Sequence, residues 1–88
     1  MEIKTSEIAQ EKYNEIYNGS KKEIDAFLKD AEKNGVSWMN EDKIYQDNKF
    51  ELYKRKCKNV YMIFSKGKNG ELVILDFLTE GELLSWMK

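Results

Sequence analysis

The chain has 88 residues, 41% of them hydrophobic and 35% charged, and its formal net charge is −1. That length makes one domain, residues 1–88, of globular rather than disordered composition. With one cysteine, no histidine and no apolar run near the ~18–20 residues that span a bilayer, the sequence excludes an internal disulfide, histidine-based catalysis or zinc binding, and a transmembrane helix.

The first segment, Met1 to Glu7, lacks the basic start and apolar stretch of a secretory leader, so a cytoplasmic location is expected. A helix is expected from Thr5 or Ser6 to Tyr17. Ala9, Tyr13, Ile16 and Tyr17 share one face of it, and Glu7 and Glu11 suit the positive end of its dipole. Asn18-Gly19 then reads as a stop. Ser20 with Glu23 reads as a capping box, and Ile24, Phe27, Leu28 and Ala31 form an apolar stripe at helical period. A second helix over 20–34 follows, closed by Asn34-Gly35.

After Gly35 the period changes. Val36 to Met39 reads as a short extended segment and the polar run 40–49 as a loop or helical turn. Three strands are expected at Phe50–Lys56, Val60–Phe64 and Glu71–Phe77, joined by turns at Lys58-Asn59 and Lys66–Gly70. Thr79 and Glu82 make another capping box, which opens a helix over 80–87 whose Leu83, Trp86 and Met87 should pack on the sheet. The expected fold class is α+β: an N-terminal helical pair, a three-stranded antiparallel meander and a short C-terminal helix, in the order α-α-β-β-β-α. Ser37-Trp38-Met39 recurs as Ser85-Trp86-Met87, but the flanking spacing differs and the match reads as coincidence.

Little in this chain suits chemistry, and it is not expected to be an enzyme. Glu41, Asp42 and Asp47 match no calcium-loop spacing, so no metal and no cofactor is expected. The glycines of Lys66-Gly67-Lys68-Asn69-Gly70 are followed by a strand, whereas a phosphate loop needs a helix there. Cys57 lies among Lys54, Arg55, Lys56 and Lys58. Exposed, it would be an activated thiol; the expected alternative is a small apolar residue on the inner face.

Charge is distributed unevenly. Residues 1–48 carry seven lysines against eleven acids, residues 49–68 seven cations against Glu51 alone, and residues 69–88 Lys88 against four acids. The basic middle, with Lys54, Arg55, Lys56 and Lys58 beside Tyr53 and Tyr61 and with Lys66 and Lys68 in the next turn, is the first candidate partner-binding surface. Tyr13, Tyr17 and Trp38 are a second. The leading expectation is a non-enzymatic protein–protein interaction module with a larger protein as partner. The residue usage resembles that of AT-rich genomes, so a phage or mobile-element inhibitor of a host protein, of the anti-defence kind, is the form the composition suggests. A nucleic-acid binder using the aromatic-interleaved basic ribbon 50–68 is the alternative. A homodimer formed through an open meander edge is the third.

Overall fold

The computed structural model describes residues 1–87. It opens with a strand absent from the expected order, β1 at Ile3–Thr5. Ser6 follows and does two things. Its hydroxyl oxygen accepts the Ala9 N–H at 3.1 Å, capping α1 (Glu7–Glu15), and the hydroxyl donates to the Leu75 carbonyl at 2.6 Å. One side chain thus starts the helix and ties it to the sheet.

The second helix, α2, spans Asn18–Asn34 and begins before the expected capping box. Ser20 is not its cap. It lies within the helix, fully buried, where its hydroxyl donates to Asn59 Oδ1 and its oxygen accepts the Asn59 N–H. An exposed helix end can be satisfied by water, whereas a buried hydroxyl must find a protein partner. The tertiary bond therefore decides the role of Ser20. The apolar stripe is as expected: Ile24 and Ala31 are buried, and Phe27 and Leu28 pack beside them. Gly35, at φ 79° and ψ −178°, ends the helix in a backbone region that L side chains rarely enter.

The segment expected to be extended is a single 3-10 turn, Trp38–Asn40, which directs the Trp38 ring against Tyr53 and Phe64. The polar run expected as a loop contains a second strand, β2 (Asp42–Gln46), antiparallel to β3 (Glu51–Cys57). The pairing places Asp42 Oδ2 2.7 Å from Lys54 Nζ, Lys43 Nζ 3.3 Å from Glu51, and Tyr45 opposite Leu52. Cross-strand charge pairs of this kind support an edge strand that has little hydrophobic signature of its own. The hairpin then runs through β4 (Val60–Lys66) and β5 (Leu72–Leu78), with Gly70 at φ 81° in the last turn.

The sheet has five strands in the order β1-β5-β4-β3-β2. The expected three-stranded meander is therefore too small. Four strands form the antiparallel meander, and β1 joins β5 in parallel through Ile3↔Leu72 and Thr5↔Ile74. In this order β2 covers the edge of β3 and β1 that of β5. The exposed edge on the meander side is β2, which is short, irregular between Lys43 and Tyr45, and flanked by charge, features that blunt edge-to-edge pairing.

Alternation along the strands sorts the side chains onto two faces. One face carries Tyr53, Cys57, Met62, Phe64, Leu72, Ile74 and Phe77. Together with Ala9, Ile24 and Ala31 of α1 and α2 they make the main core. Leu52 and Ile63 are also buried but stand outside that cluster, on the second face. There α3 (Glu80–Trp86) meets β4 and β5 through Leu83, its one buried residue. The Thr79–Glu82 capping box forms as expected, with reciprocal bonds of 2.9 and 3.2 Å.

The β3–β4 turn places Lys58 at φ 58°. A left-handed conformation costs a β-carbon residue ~1–2 kcal/mol, part of which glycine returns through its floppier unfolded state. Lys58→Gly is accordingly expected to stabilise the domain by about 0.5–1 kcal/mol, read as a rise in the urea midpoint at constant slope. A fall in the midpoint would mean that the Lys58 side chain makes contacts worth more than its strain.

Candidate interaction surface on the second sheet face

The basic segment 50–68 is one run in sequence but several surfaces in space. Tyr53 and Arg55 alternate onto the helix-covered face. Tyr53 is 2% exposed, stacks on Phe64 at 5.5 Å and donates its hydroxyl to Glu51. Burial and that carboxylate push its phenol up to about 12. The Arg55 guanidinium sits 4.3 Å from the Phe27 ring and donates to both oxygens of Glu41, at 3.1 and 3.2 Å. Lys66 lies 5.9 Å over the Trp38 ring, Lys58 is in the β3–β4 turn, and Lys68 is in the β4–β5 loop.

Of the first candidate set, the fold brings together Lys54, Lys56 and Tyr61. Lys54 and Lys56 point to the second face from β3, and Tyr61 faces them from β4 as the partner of Lys56. Lys54 Nζ lies 5.3 Å over the Tyr61 ring while it pairs with Asp42. Lys56 is exposed, and among the described residues no carboxylate lies within 4 Å of it.

The second candidate set is dispersed. Tyr13 is half-buried against Phe77, and its hydroxyl donates to Asp25 at 2.6 Å. That bond, with some burial, pushes its phenol up to about 12. Trp38 is half-buried in the aromatic cluster. Tyr17 alone of the three is mostly exposed, at 62%.

Cys57 is 1% exposed, and desolvation, with a smaller contribution from Glu23, pushes its thiol up to about 11. The lysine-activated thiol that the sequence left open is therefore overturned. Lys54 and Lys56 point to the other face from alternate positions, and Arg55, on the same face as the sulfur, is turned to Glu41 and the Phe27 ring. The acids of the 41–47 stretch also have local partners: Glu41 pairs with Arg55 and Asp42 with Lys54. Asp47 accepts the backbone N–H groups of Lys49 and Phe50, which hold its carboxyl below the usual carboxylate range.

The apolar part of this surface was not anticipated. Trp86 and Met87 were expected to pack with Leu83, but they remain 52% and 50% exposed, and Leu84 is 61% exposed. A seven-residue helix on one face of a sheet can bury only a narrow stripe, here Leu83. At the far side of the sheet Tyr45 and Phe50 pair at 5.5 Å on the β2–β3 hairpin, 47% and 44% exposed. Tyr45 stood in the polar run expected as a loop, and Phe50 opened the first expected strand. The second face thus carries exposed apolar side chains on α3 and on the β2–β3 hairpin, with Lys54, Lys56 and Tyr61 on the strands between β2 and β5. Among the described residues no helix is long and apolar enough to cross a membrane.

No known protein family and no curated protein matches the chain in sequence. In structure it is similar to a chain of the archaeal RelE-RelB complex from Pyrococcus horikoshii OT3, with a TM-score of 0.73 and 16% identity, over 91% of this chain and 94% of that one. At that identity the likeness is one of fold: the two chains share an architecture across nearly their whole lengths.

Proposed function

We propose that this chain is a small protein-interaction module that works bound to a second, different protein, seated on the second sheet face beside α3. The observation that carries this reading is the apolar surface that α3 leaves to solvent, Leu84, Trp86 and Met87 around a single buried leucine. Fully covering a side chain of this size contributes roughly 1.5–3 kcal/mol, and exposed tryptophans beside leucine and methionine are the residue types that anchor interfaces. Lys54 and Lys56 on the same face favour a partner segment that carries carboxylates as well as apolar groups. The shared fold with a chain that works in a two-protein complex supports a protein partner.

We read this role as non-catalytic. What supports that is the state of several groups that could move protons: Cys57, Tyr13 and Tyr53 are all raised to about 11 or 12, and Asp47 and Glu82 accept backbone N–H groups. The finer form of the role, a stoichiometric inhibitor of a larger host protein, fits the small size and uneven charge of the chain.

Affinity purification of the tagged chain from its source cells, followed by light scattering, is expected to return one protein at fixed stoichiometry. Leu84→Asp with Trp86→Asp is expected to weaken that complex at least tenfold with little change in the melting temperature. No partner above background, or a partner held equally well by the double variant, overturns the reading.

A further inference from the structure

The β2–β3 and β4–β5 hairpin loops lie side by side, because β3 and β4 are antiparallel neighbours with Leu52 opposite Ser65. Between the loops is a cleft of about 230 Å³ lined by Asp47, Lys49, Phe50, Glu51, Lys66 and Lys68. Its charges are not equivalent. Both carboxylates are held from within. Asp47 Oδ1 accepts from the N–H groups of Lys49 and Phe50 at 2.7 and 3.0 Å, and its Oδ2 accepts from the Tyr45 hydroxyl at 3.1 Å. Glu51 accepts from the Tyr53 hydroxyl and, at 3.3 Å, from Lys43. Lys49, Lys66 and Lys68, by contrast, have no carboxylate within 4 Å among the described residues. The groups left to meet a ligand are therefore the Lys49 and Lys68 ammonium groups, that of Lys66, which also lies 5.9 Å over the Trp38 ring, and the exposed Phe50 ring.

We infer that this cleft is a binding site for a single nucleic-acid strand, with phosphates on Lys49, Lys66 and Lys68 and a base stacked on Phe50. The site shares the second-face ring Phe50 with the surface described above but none of Lys54, Lys56, Leu84, Trp86 and Met87. The assignment to a strand rather than to an acidic peptide rests on Phe50. It is 44% exposed, lines the cleft, and is supported from behind by Tyr45 at 5.5 Å. An exposed, backed aromatic ring beside unpaired lysines is what base stacking combined with phosphate contact requires. A duplex offers no free base face to it. Of the basic ribbon the sequence suggested, Lys66 and Lys68 thus belong to the site, whereas Tyr53 and Arg55 are tied up in the core and its edge.

The test is fluorescence anisotropy with a labelled twelve-residue oligouridylate across a range of salt. Binding at 50 mM salt is expected to weaken steeply as salt rises. Lys49→Gln, Lys66→Gln and Lys68→Gln together should reduce the slope of log K against log salt by about 2, at ~0.7 per phosphate contact, whereas the three corresponding arginine substitutions should keep it. Phe50→Ala should weaken binding roughly 5- to 100-fold, as loss of one stacked base does, without changing the slope. Lys22→Gln, Lys29→Gln and Lys33→Gln on α2 remove the same charge and should change neither quantity. Circular dichroism melts check that each variant is folded. Four results would each overturn the inference: no binding at 50 mM salt, an unchanged slope in the triple cleft variant, equal competition by a decaglutamate peptide, or displacement by uridine monophosphate as readily as by the strand.

Discussion

Phe64→Ala is expected to destabilise the domain by about 3–5 kcal/mol, as truncation of a fully buried aromatic does. Phe64 is 0% exposed, with the rings of Tyr53, Phe27 and Trp38 at 5.5, 5.8 and 6.0 Å. Those three come from β3, α2 and the 3-10 turn, so one side chain joins three elements to the central strand β4. A domain of 88 residues holds roughly 4–13 kcal/mol in all, at ~0.05–0.15 per residue, so the variant should lie at the edge of folding at 37 °C. Urea unfolding followed by tryptophan fluorescence measures the loss. Phe64→Leu, which keeps most of the volume, should cost less than half as much. A loss below about 1 kcal/mol for the alanine variant would show that the aromatic cluster is not the centre of the core.

Raising the pH from 9 to 12 is expected to unfold the protein progressively, with Cys57 acting first. Its thiol titrates near 9 in an unfolded chain and at about 11 in the folded one, because burial disfavours the thiolate. A group whose folded pKa is raised contributes stability that is fully present below its unfolded pKa and lost as pH climbs through the folded one. The Cys57 contribution is therefore intact below pH 9 and gone above about pH 11. A shift of this size is on the order of 3 kcal/mol at ~1.4 per unit, or a melting temperature roughly 10–20 °C lower at ~4–8 °C per kcal/mol. Tyr53 and Tyr13, at about 12, extend the same trend to higher pH. Thermal melts of Cys57→Ala should start lower, since a buried group is removed, but should lose the slope between pH 9 and 10, below the window in which Tyr13 and Tyr53 contribute. A parent protein whose melting temperature is flat between pH 9 and 10 would show that the thiol is not desolvated.

Where structure depends on nearby residues, the sequence was legible. The apolar stripe of α2, the glycine stop at Gly35, the Thr79–Glu82 capping box and the three strands β3, β4 and β5 all follow from side chains within a few positions of one another. The strands β1 and β2 were not legible. Ile3–Thr5 is three residues long and becomes a strand only because β5 offers an edge some seventy positions later. Asp42–Gln46 is polar and is held by charges on β3 that no local pattern records.

The candidate surfaces divide in the same way. That residues 49–68 carry seven cations against one acid was plain from the sequence, as was the lack of histidine and the single cysteine. Which cations share a surface was not. Alternation along β3 sends Lys54 and Lys56 one way and Tyr53 and Arg55 the other, so a contiguous basic run becomes separate groups. Composition and local periodicity determined the class of fold, the capping box of α3 and the excess of basic charge over residues 49–68, because these depend on short-range geometry. Only tertiary structure decided that Ser20 is a buried tether, that Cys57 is inert, that Leu84, Trp86 and Met87 face solvent, and that Lys49, Lys66 and Lys68 share one cleft with Phe50. Each of those outcomes depends on which distant segment packs nearby, and so on which polar groups lose water and which apolar ones keep it.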